Sequence, residues 1–145
     1  MKQFSSKDTR RFNYILGETG AVYHGFAVKL GQSDSIMSIL YTLCDVGDGC
    51  PISTICFNSG LSKQTVNSSL RKLENEGYIT LKRLNGKSKA VYFTESGKEL
   101  AVKTAAKILS AENSVFASWK KEEVELFLNL NEKFLRDIKK YDAFI

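Results

Sequence analysis

"SKQTVNSSLRKLENEGYI", residues 62–79, decides how this chain is read. Val66, Leu70 and Leu73 recur at spacings of four and three, which predicts an amphipathic helix packed on one face, with Ser62 as its N-cap and Gly77 as its C-terminal stop. The first turns hold Lys63, Gln64, Thr65, Asn67, Ser68 and Ser69, types that a helix serving only to pack would replace with Ala, Glu or Leu. Lys63, Gln64, Asn67, Ser68 and Arg71 are left facing outward, a surface rich in amides, hydroxyls and cations.

The preceding residues give that surface a context. In "CPISTICFNSGLS", residues 50–62, Pro51 suits a first helical position, Ile52, Ile55 and Cys56 form a short apolar face, and Gly60 sits in a tight turn. A short helix, a Gly-containing turn and a polar-fronted helix make a helix-turn-helix, whose second helix lies in the major groove of DNA. The residue types fit that role. Gln and Asn pair bidentately with adenine, Lys and Arg with guanine, and Ser or Thr with either. The bland alternative is that Ser62 and Thr65 only cap the helix and the remainder is a solvated face.

Downstream, "YITLKRLNGKSKAVYFT", residues 78–94, has two β-prone arms around Asn85-Gly86, a strong signal for a two-residue hairpin turn. That register pairs Leu84 with Lys87 and sets Lys82 opposite Lys89. Like charges directly opposed cost stability, so a polyanion is the expected compensation, and Lys82, Lys87 and Lys89 read as a basic wing on a phosphate backbone. Charge along the chain agrees. Residues 61–90 contain seven cationic and two acidic side chains and so hold the whole net charge of +5.

Upstream and downstream segments are helical. Phe12, Ile15, Thr19, Val22 and Phe26 predict a helix over about 8–30, with Gly17, Gly20 and Gly25 as places of close packing or bending. Ser33 or Asp34 caps a second helix with the stripe Ile36, Ile39, Leu40 and Leu43, stopped by Gly47. After Thr94, a further N-cap, Leu100, Thr104, Ile108, Ala111 and Val115 predict one continuous helix. Ser118 is read as the cap of the last helix, with Glu122 and Glu123 in its first turn and Lys139 and Lys140 in its last. Its seam of Val124, Phe127, Asn131, Phe134, Ile138 and Tyr141 keeps heptad spacing, and Leu126, Leu128, Leu130 and Leu135 widen it beyond the needs of one small body. A second subunit is expected there.

At this point the chain resembles the MarR family of winged-helix transcriptional regulators over about residues 20–141. The most specific part is "LSKQTVNSSLRKLENEGYI" followed by the wing and "YFTESGKEL". The family's wing signature is an Asp, one residue, an Arg, five residues, then Leu-Thr; the matching positions here are Asn85, Lys87, Phe93 and Thr94, with Gly97 following. An amide and a lysine thus stand where the family has an acid and an arginine, which favours phosphate contact by the wing over groove insertion. By resemblance Ser53 touches phosphate, Gln64, Thr65, Asn67 and Ser68 read bases, and Arg71 meets the backbone or a guanine.

The expected architecture is mainly α with a small β-hairpin wing: one winged helix-turn-helix domain over 1–145, with a DNA-binding lobe at about 33–97 and dimerisation helices at about 8–30 and 98–142. The resemblance implies a homodimer on a pseudo-palindromic double-stranded operator, acting as a repressor modulated by a small-molecule effector held between lobe and dimer helices, where Tyr14, Tyr23, His24 and Tyr41 are candidate lining residues.

Other classes fit less well. The single histidine, His24, has no nucleophile placed beside it, and no Gly-rich phosphate loop or paired carboxylates occur, so no enzyme and no cofactor are expected. Cys44, Cys50 and Cys56 lack a standard zinc spacing. Alternatives kept open are a thiol-based redox sensor using Cys50, placed near a helix N-terminus beside Pro51, and a winged-helix module that binds protein rather than DNA. No apolar run reaches the length of a bilayer span and "MKQFSSKDTRRF" has no apolar stretch, so no membrane partner and a cytoplasmic location are expected.

Overall fold

A computed structural model describes residues 4–145. The chain forms seven α-helices and three short strands among these residues: α1 (Lys7–Lys29), α2 (Asp34–Val46), β1 (Cys50–Pro51), α3 (Ile52–Ser59), α4 (Lys63–Asn75), β2 (Ile79–Arg83), β3 (Lys89–Phe93), α5 (Glu95–Lys103), α6 (Ala105–Ser118) and α7 (Lys121–Ile138), followed by a 3-10 segment over Lys139–Phe144. Two compact units divide after Leu109. No helix among the described residues is long and apolar enough to cross a membrane.

The core of the first unit is built from the expected stripes. Ile36, Ile39, Leu40 and Leu43 of α2 are buried against Ile55 of α3 and Val66, Leu70 and Leu73 of α4, with Ile79 and Val91 of the sheet closing the cluster. Polar groups at the seams are paired: Ser69 donates its hydroxyl to Ser35 Oγ at 3.2 Å, tying α4 to the start of α2. The starts of α2 and α4 carry side-chain caps. Ser33 and Ser62 accept backbone N–H groups three residues on, from Ile36 at 3.3 Å and Thr65 at 3.1 Å.

α4 ends as a Schellman motif. Tyr78 N–H donates to Leu73 O at 2.9 Å and Gly77 N–H to Glu74 O at 3.0 Å, and this requires the left-handed φ of +79° that Gly77 supplies. The carbonyls freed by the turn are then used by α5. Thr94 Oγ1 accepts from Gly97 N–H at 3.0 Å and donates to Gly77 O at 2.6 Å, so one hydroxyl caps α5 and pins it to the end of α4. Replacing Thr94 with Ala removes both bonds and is expected to cost about 2 kcal/mol, read as a lower urea midpoint with an unchanged slope; an unaltered midpoint would show the hydroxyl to be dispensable.

The sheet has order β1-β3-β2, all antiparallel. Its third strand, β1, pairs Cys50 with Val91 and Pro51 with Ala90, and was not expected from two residues that read as a helix start. Pro51 consequently precedes α3 as its N-cap rather than occupying the first helical position. The hairpin also departs from its expected register. Leu84 N–H donates to Ser88 O and Ser88 N–H to Asn85 O, both at 2.9 Å, leaving a three-residue loop, Asn85, Gly86 and Lys87. A two-residue type I′ turn would need positive φ at both Asn85 and Gly86, but only Gly86 adopts it, at +56°.

That one-residue shift exchanges the faces of the wing. Arg83, not Lys82, stands opposite Lys89, and Lys82 pairs with Ala90. Ile79, Leu81 and Arg83 share one face with Phe93, Val91 and Lys89, while Lys82 lies on the other with Tyr92. The opposed cations remain, but one of them is an arginine.

The helices outside the lobe differ in detail from expectation. α1 is a single unbroken helix, and a Cβ at Gly17, Gly20 or Gly25 would meet nothing within 4 Å, so these glycines neither bend it nor admit a close neighbour among the described residues. The continuous helix expected after Thr94 is broken at Thr104, whose φ of −125° and ψ of −96° separate α5 from α6. Its buried hydroxyl donates to Leu100 O at 2.7 Å, as Thr19 and Thr42 donate inside α1 and α2, and the helix ends at a residue that continues the helical spacing in sequence.

In the second unit Ser118 closes α6, donating to Val115 O at 2.7 Å, and does not cap α7. That role falls to Lys120, whose N–H donates to Glu123 Oε2 at 2.9 Å. The chain turns over an aromatic cluster: Trp119 meets Phe116 and Phe127 edge-on at 5.7 and 5.4 Å between ring centroids. Past Ile138 the backbone tightens to a 3-10 turn, so Lys139, Lys140 and Tyr141 lie outside the α-helical period that the seam assumes.

Candidate nucleic-acid interface

The second helix of the motif, α4, presents its polar front to solvent. Ser62, Lys63, Gln64, Asn67, Ser68 and Arg71 are exposed and Thr65 is half-buried. Part of this face is committed within the helix. The Ser62 and Thr65 hydroxyls lie 2.8 Å apart at the N-cap, and Ser68 Oγ donates to Thr65 O at 3.0 Å. The capping explanation thus holds for Ser62 and Thr65. It does not extend to Lys63, Gln64, Asn67 and Arg71, which make no hydrogen bond or ion pair among the described residues.

Helical geometry sorts these four. Lys63, Asn67 and Arg71 follow one another at intervals of four and so form one ridge; Gln64 and Ser68 form the next. The first ridge walls an open groove of about 930 Å³, whose floor is Ile52, Cys56, Leu70 and Leu81. Ser53, exposed in the first turn of α3, lines its near end. Lys87 at the wing tip and Lys89 on β3 complete the far wall. Two walls of opposite origin therefore place Lys63, Arg71, Lys87 and Lys89 around one trough, and among the described residues no carboxylate lines it.

Lys82 is not brought into this trough. It stands on the other face of the wing with its ammonium 4.7 Å from the centre of the Tyr92 ring, a cation–π contact. Arg83, opposite Lys89 and exposed, takes the position expected of Lys82. Sequence reasoning passed over Arg83 because the face of every wing residue depends on loop length, and the Asn-Gly signal pointed to a loop one residue shorter.

The seam residues behave unevenly. Phe134 and Ile138 on α7 and Tyr141 in the 3-10 segment after it are each about half exposed, whereas Val124 is half-buried and Phe127 is partly spent on Phe116 and Trp119. Asn131 donates its side-chain N–H to Phe127 O at 2.7 Å, so its amide is satisfied on its own helix. In the first unit, Tyr14, Ile15, Leu16, Val22 and Val28 of α1 are also at least half exposed, and only Ala27 of that helix is buried. His24 pairs with the Asp34 carboxylate at 2.9 Å across α1 and α2.

Cys50 does not fit the redox-sensor alternative, which needs an accessible thiolate there. It is fully buried in β1, its thiol directed at Pro51 O, and burial pushes its pKa up, as it does for Cys44. No group of three or more His, Cys, Asp or Glu among the described residues is placed to hold a metal. Alkylation near neutral pH is expected to reach half-buried Cys56 first and to modify Cys50 only on unfolding; equal rates for the two, followed by peptide mass, would contradict this.

Lobe, groove and wing define a winged helix-turn-helix protein, and residues 34–80 match the family model described as winged helix-turn-helix DNA-binding. Over nearly its whole length the chain has the fold of the MarR-family regulators. It superposes on NMB1585, a MarR family regulator from Neisseria meningitidis, with a TM-score of 0.80 at 19% identity, covering 97% of this chain and 100% of that one. A MarR family transcriptional regulator from Silicibacter pomeroyi gives 0.70 at 24% identity, covering 88% and 86%. The S. aureus MepR–DNA complex gives 0.69 at 19%, covering 92% and 99%. No curated relative matches the sequence.

Proposed function

We propose that this protein is a homodimeric, sequence-specific DNA-binding regulator of transcription, a repressor whose operator affinity a small molecule modulates. The observation that carries the DNA-binding reading is the single trough walled by Lys63, Asn67 and Arg71 on one side and Lys87 and Lys89 on the other, with no acid lining it. α4 enters the major groove, its front half meeting base edges, while Ser53, Ser62, Lys63, Arg71, Lys87 and Lys89 hold phosphates. Thr65 and Ser68 keep acceptor lone pairs for the duplex beyond their helix bonds. Arg83 joins the wing's backbone contacts, and Lys82 adds charge from the wing's outer face.

A twofold partner follows from the apolar surface left on α1 and α7. Phe134, Ile138 and Tyr141 with Leu126, Leu130 and Leu135 expose more contiguous hydrocarbon than a monomer keeps in water. Val124 and Phe127 border that surface. Pairing of two chains sets two α4 helices about one DNA turn apart, matching a pseudo-palindromic operator. An effector acts by favouring one separation of those helices over another, a differential affinity for two states of the dimer.

Sedimentation tests the dimer. The protein is expected at twice its 16.3 kDa chain mass at micromolar concentration, and Phe134→Glu with Ile138→Glu is expected to yield monomers with at least about 100-fold weaker operator binding, since each half-site is then held separately. A wild-type monomer at that concentration would overturn the dimeric reading.

A further inference from the structure

We infer that Gln64 and Asn67 are the base-reading pair of this interface and that each operator half-site presents A·T pairs to them in the major groove. The inference rests on the DNA-binding reading above and narrows it to a base identity.

The polar front of α4 offers three chemistries, and local bonding separates them. Its hydroxyls are engaged in the cap and along the helix: Ser62 accepts from Thr65 N–H at 3.1 Å and lies 2.8 Å from Thr65 Oγ1, while Ser68 donates to Thr65 O at 3.0 Å. A hydroxyl so engaged reads bases without strong preference, because Ser and Thr pair with any base. Its cations lie at the ends of a ridge, Lys63 in the first turn and Arg71 two turns further on, both lining the trough shared with Lys87 and Lys89. Asn67 lines the same trough between them, so charge and not placement sets the cations apart: they answer the phosphate track that Lys87 and Lys89 extend along the wing, whereas an amide has no charge to offer a phosphate. What remains are two amides, exposed and without a side-chain partner among the described residues, on adjacent ridges of the first two turns.

An amide that donates and accepts at once matches the N6 amino and N7 of adenine, the base whose major-groove edge carries both. Residues three apart on a helix have Cβ atoms about 5–6 Å apart, against a base step of about 3.4 Å, so Gln64 and Asn67 reach base pairs one or two steps from each other. Thr65, half-buried between them, points no charged group at the same edge, and its methyl suits the thymine methyl of an A·T pair.

The test is selection of bound duplexes from a random pool by the full chain, repeated with Gln64→Ala, Asn67→Ala and Asn67→Arg. The wild-type pool is expected to enrich A·T at two positions one or two steps apart in each half-site. Each alanine variant should lose about tenfold of the preference at one of those positions while the other persists, and Asn67→Arg should turn its position toward G·C. Enrichment of G·C at the core of the half-site, or alanine variants that select the wild-type consensus, would overturn the assignment while leaving the DNA-binding reading in place. A wild-type chain that binds no duplex at low salt would overturn both.

Discussion

Replacing Gly97 with Ala is expected to unfold the winged lobe or to destabilise it by at least about 3 kcal/mol, a larger effect than any exposed substitution in the molecule. Gly97 is buried in the first turn of α5, where an added Cβ would run directly into the Tyr78 carbonyl oxygen and stand 3.0 Å from Phe93 Cδ1. The carbonyl cannot yield. It accepts from Thr94 N–H at 3.0 Å, and Tyr78 N–H closes the Schellman turn of α4 on Leu73 O, so the backbone is fixed from both sides. A flexible side chain would rotate away from a methyl group, whereas here a helix end would have to move off the sheet. Urea or thermal unfolding followed by circular dichroism measures the loss; a variant within about 0.5 kcal/mol of the wild type would show that α5 packs less closely than the structure describes.

The second large effect falls on affinity with little change in stability. Arg71→Glu combined with Lys89→Glu places a carboxylate on each wall of the trough, in both subunits of a dimer, where phosphates are expected. Like-charge approach of this kind costs several kcal/mol, and each 1.4 kcal/mol is about tenfold, so duplex affinity should fall at least about 100-fold near physiological salt. Both side chains are exposed, and neither makes an ion pair among the described residues. The unfolding midpoint should therefore move by no more than about 0.5 kcal/mol. Removing Lys89 also relieves its opposition to Arg83, which works in the same direction. Fluorescence anisotropy with a labelled duplex reads the affinity, and a variant that binds like the wild type would separate the trough from the polyanion.

The two effects explain which parts of the molecule were legible in advance. Spacing alone identified the buried faces of α2 and α4, because Ile36, Ile39, Leu40 and Leu43 and Val66, Leu70 and Leu73 must all face one way for the helices to pack. Ser33, Ser62 and Thr94 announced helix starts through local chemistry that needs no partner elsewhere in the fold. Gly97 was marked only by the family resemblance, as the glycine that follows the wing signature, and no local chemistry announced its role. Its constraint comes from a carbonyl nineteen residues earlier in the chain, and nothing local encodes that approach.

Features that failed depend on choices between near-equal local options. Asn85-Gly86 supports more than one hairpin loop, and the observed one uses positive φ only at Gly86, which leaves Lys82 off the trough and sets Arg83 opposite Lys89. Thr104 keeps the apolar spacing of one long helix, yet its backbone leaves helical geometry there, and its hydroxyl bond to Leu100 O is of the same kind that Thr19 and Thr42 make inside unbroken helices, so nothing local announces the break. Ser118 looked like a cap by type, whereas Glu123 reaches back to the Lys120 N–H and moves the start of α7 two residues on. β1 escaped notice because a two-residue edge strand has no periodicity to detect. Cys50 looked available beside Pro51, and that same strand is what buries it.

Dependence of duplex affinity on salt tests the central claim most directly, since a trough of cations on a phosphate backbone releases counterions in proportion to the contacts made. With six or more phosphates held by two subunits, log K should fall linearly with log salt at a slope of about −0.9 per phosphate, a loss of about a thousandfold between about 50 and about 200 mM. Affinity that is flat across that range, or a wild-type chain that leaves duplex unbound at about 50 mM, would contradict it.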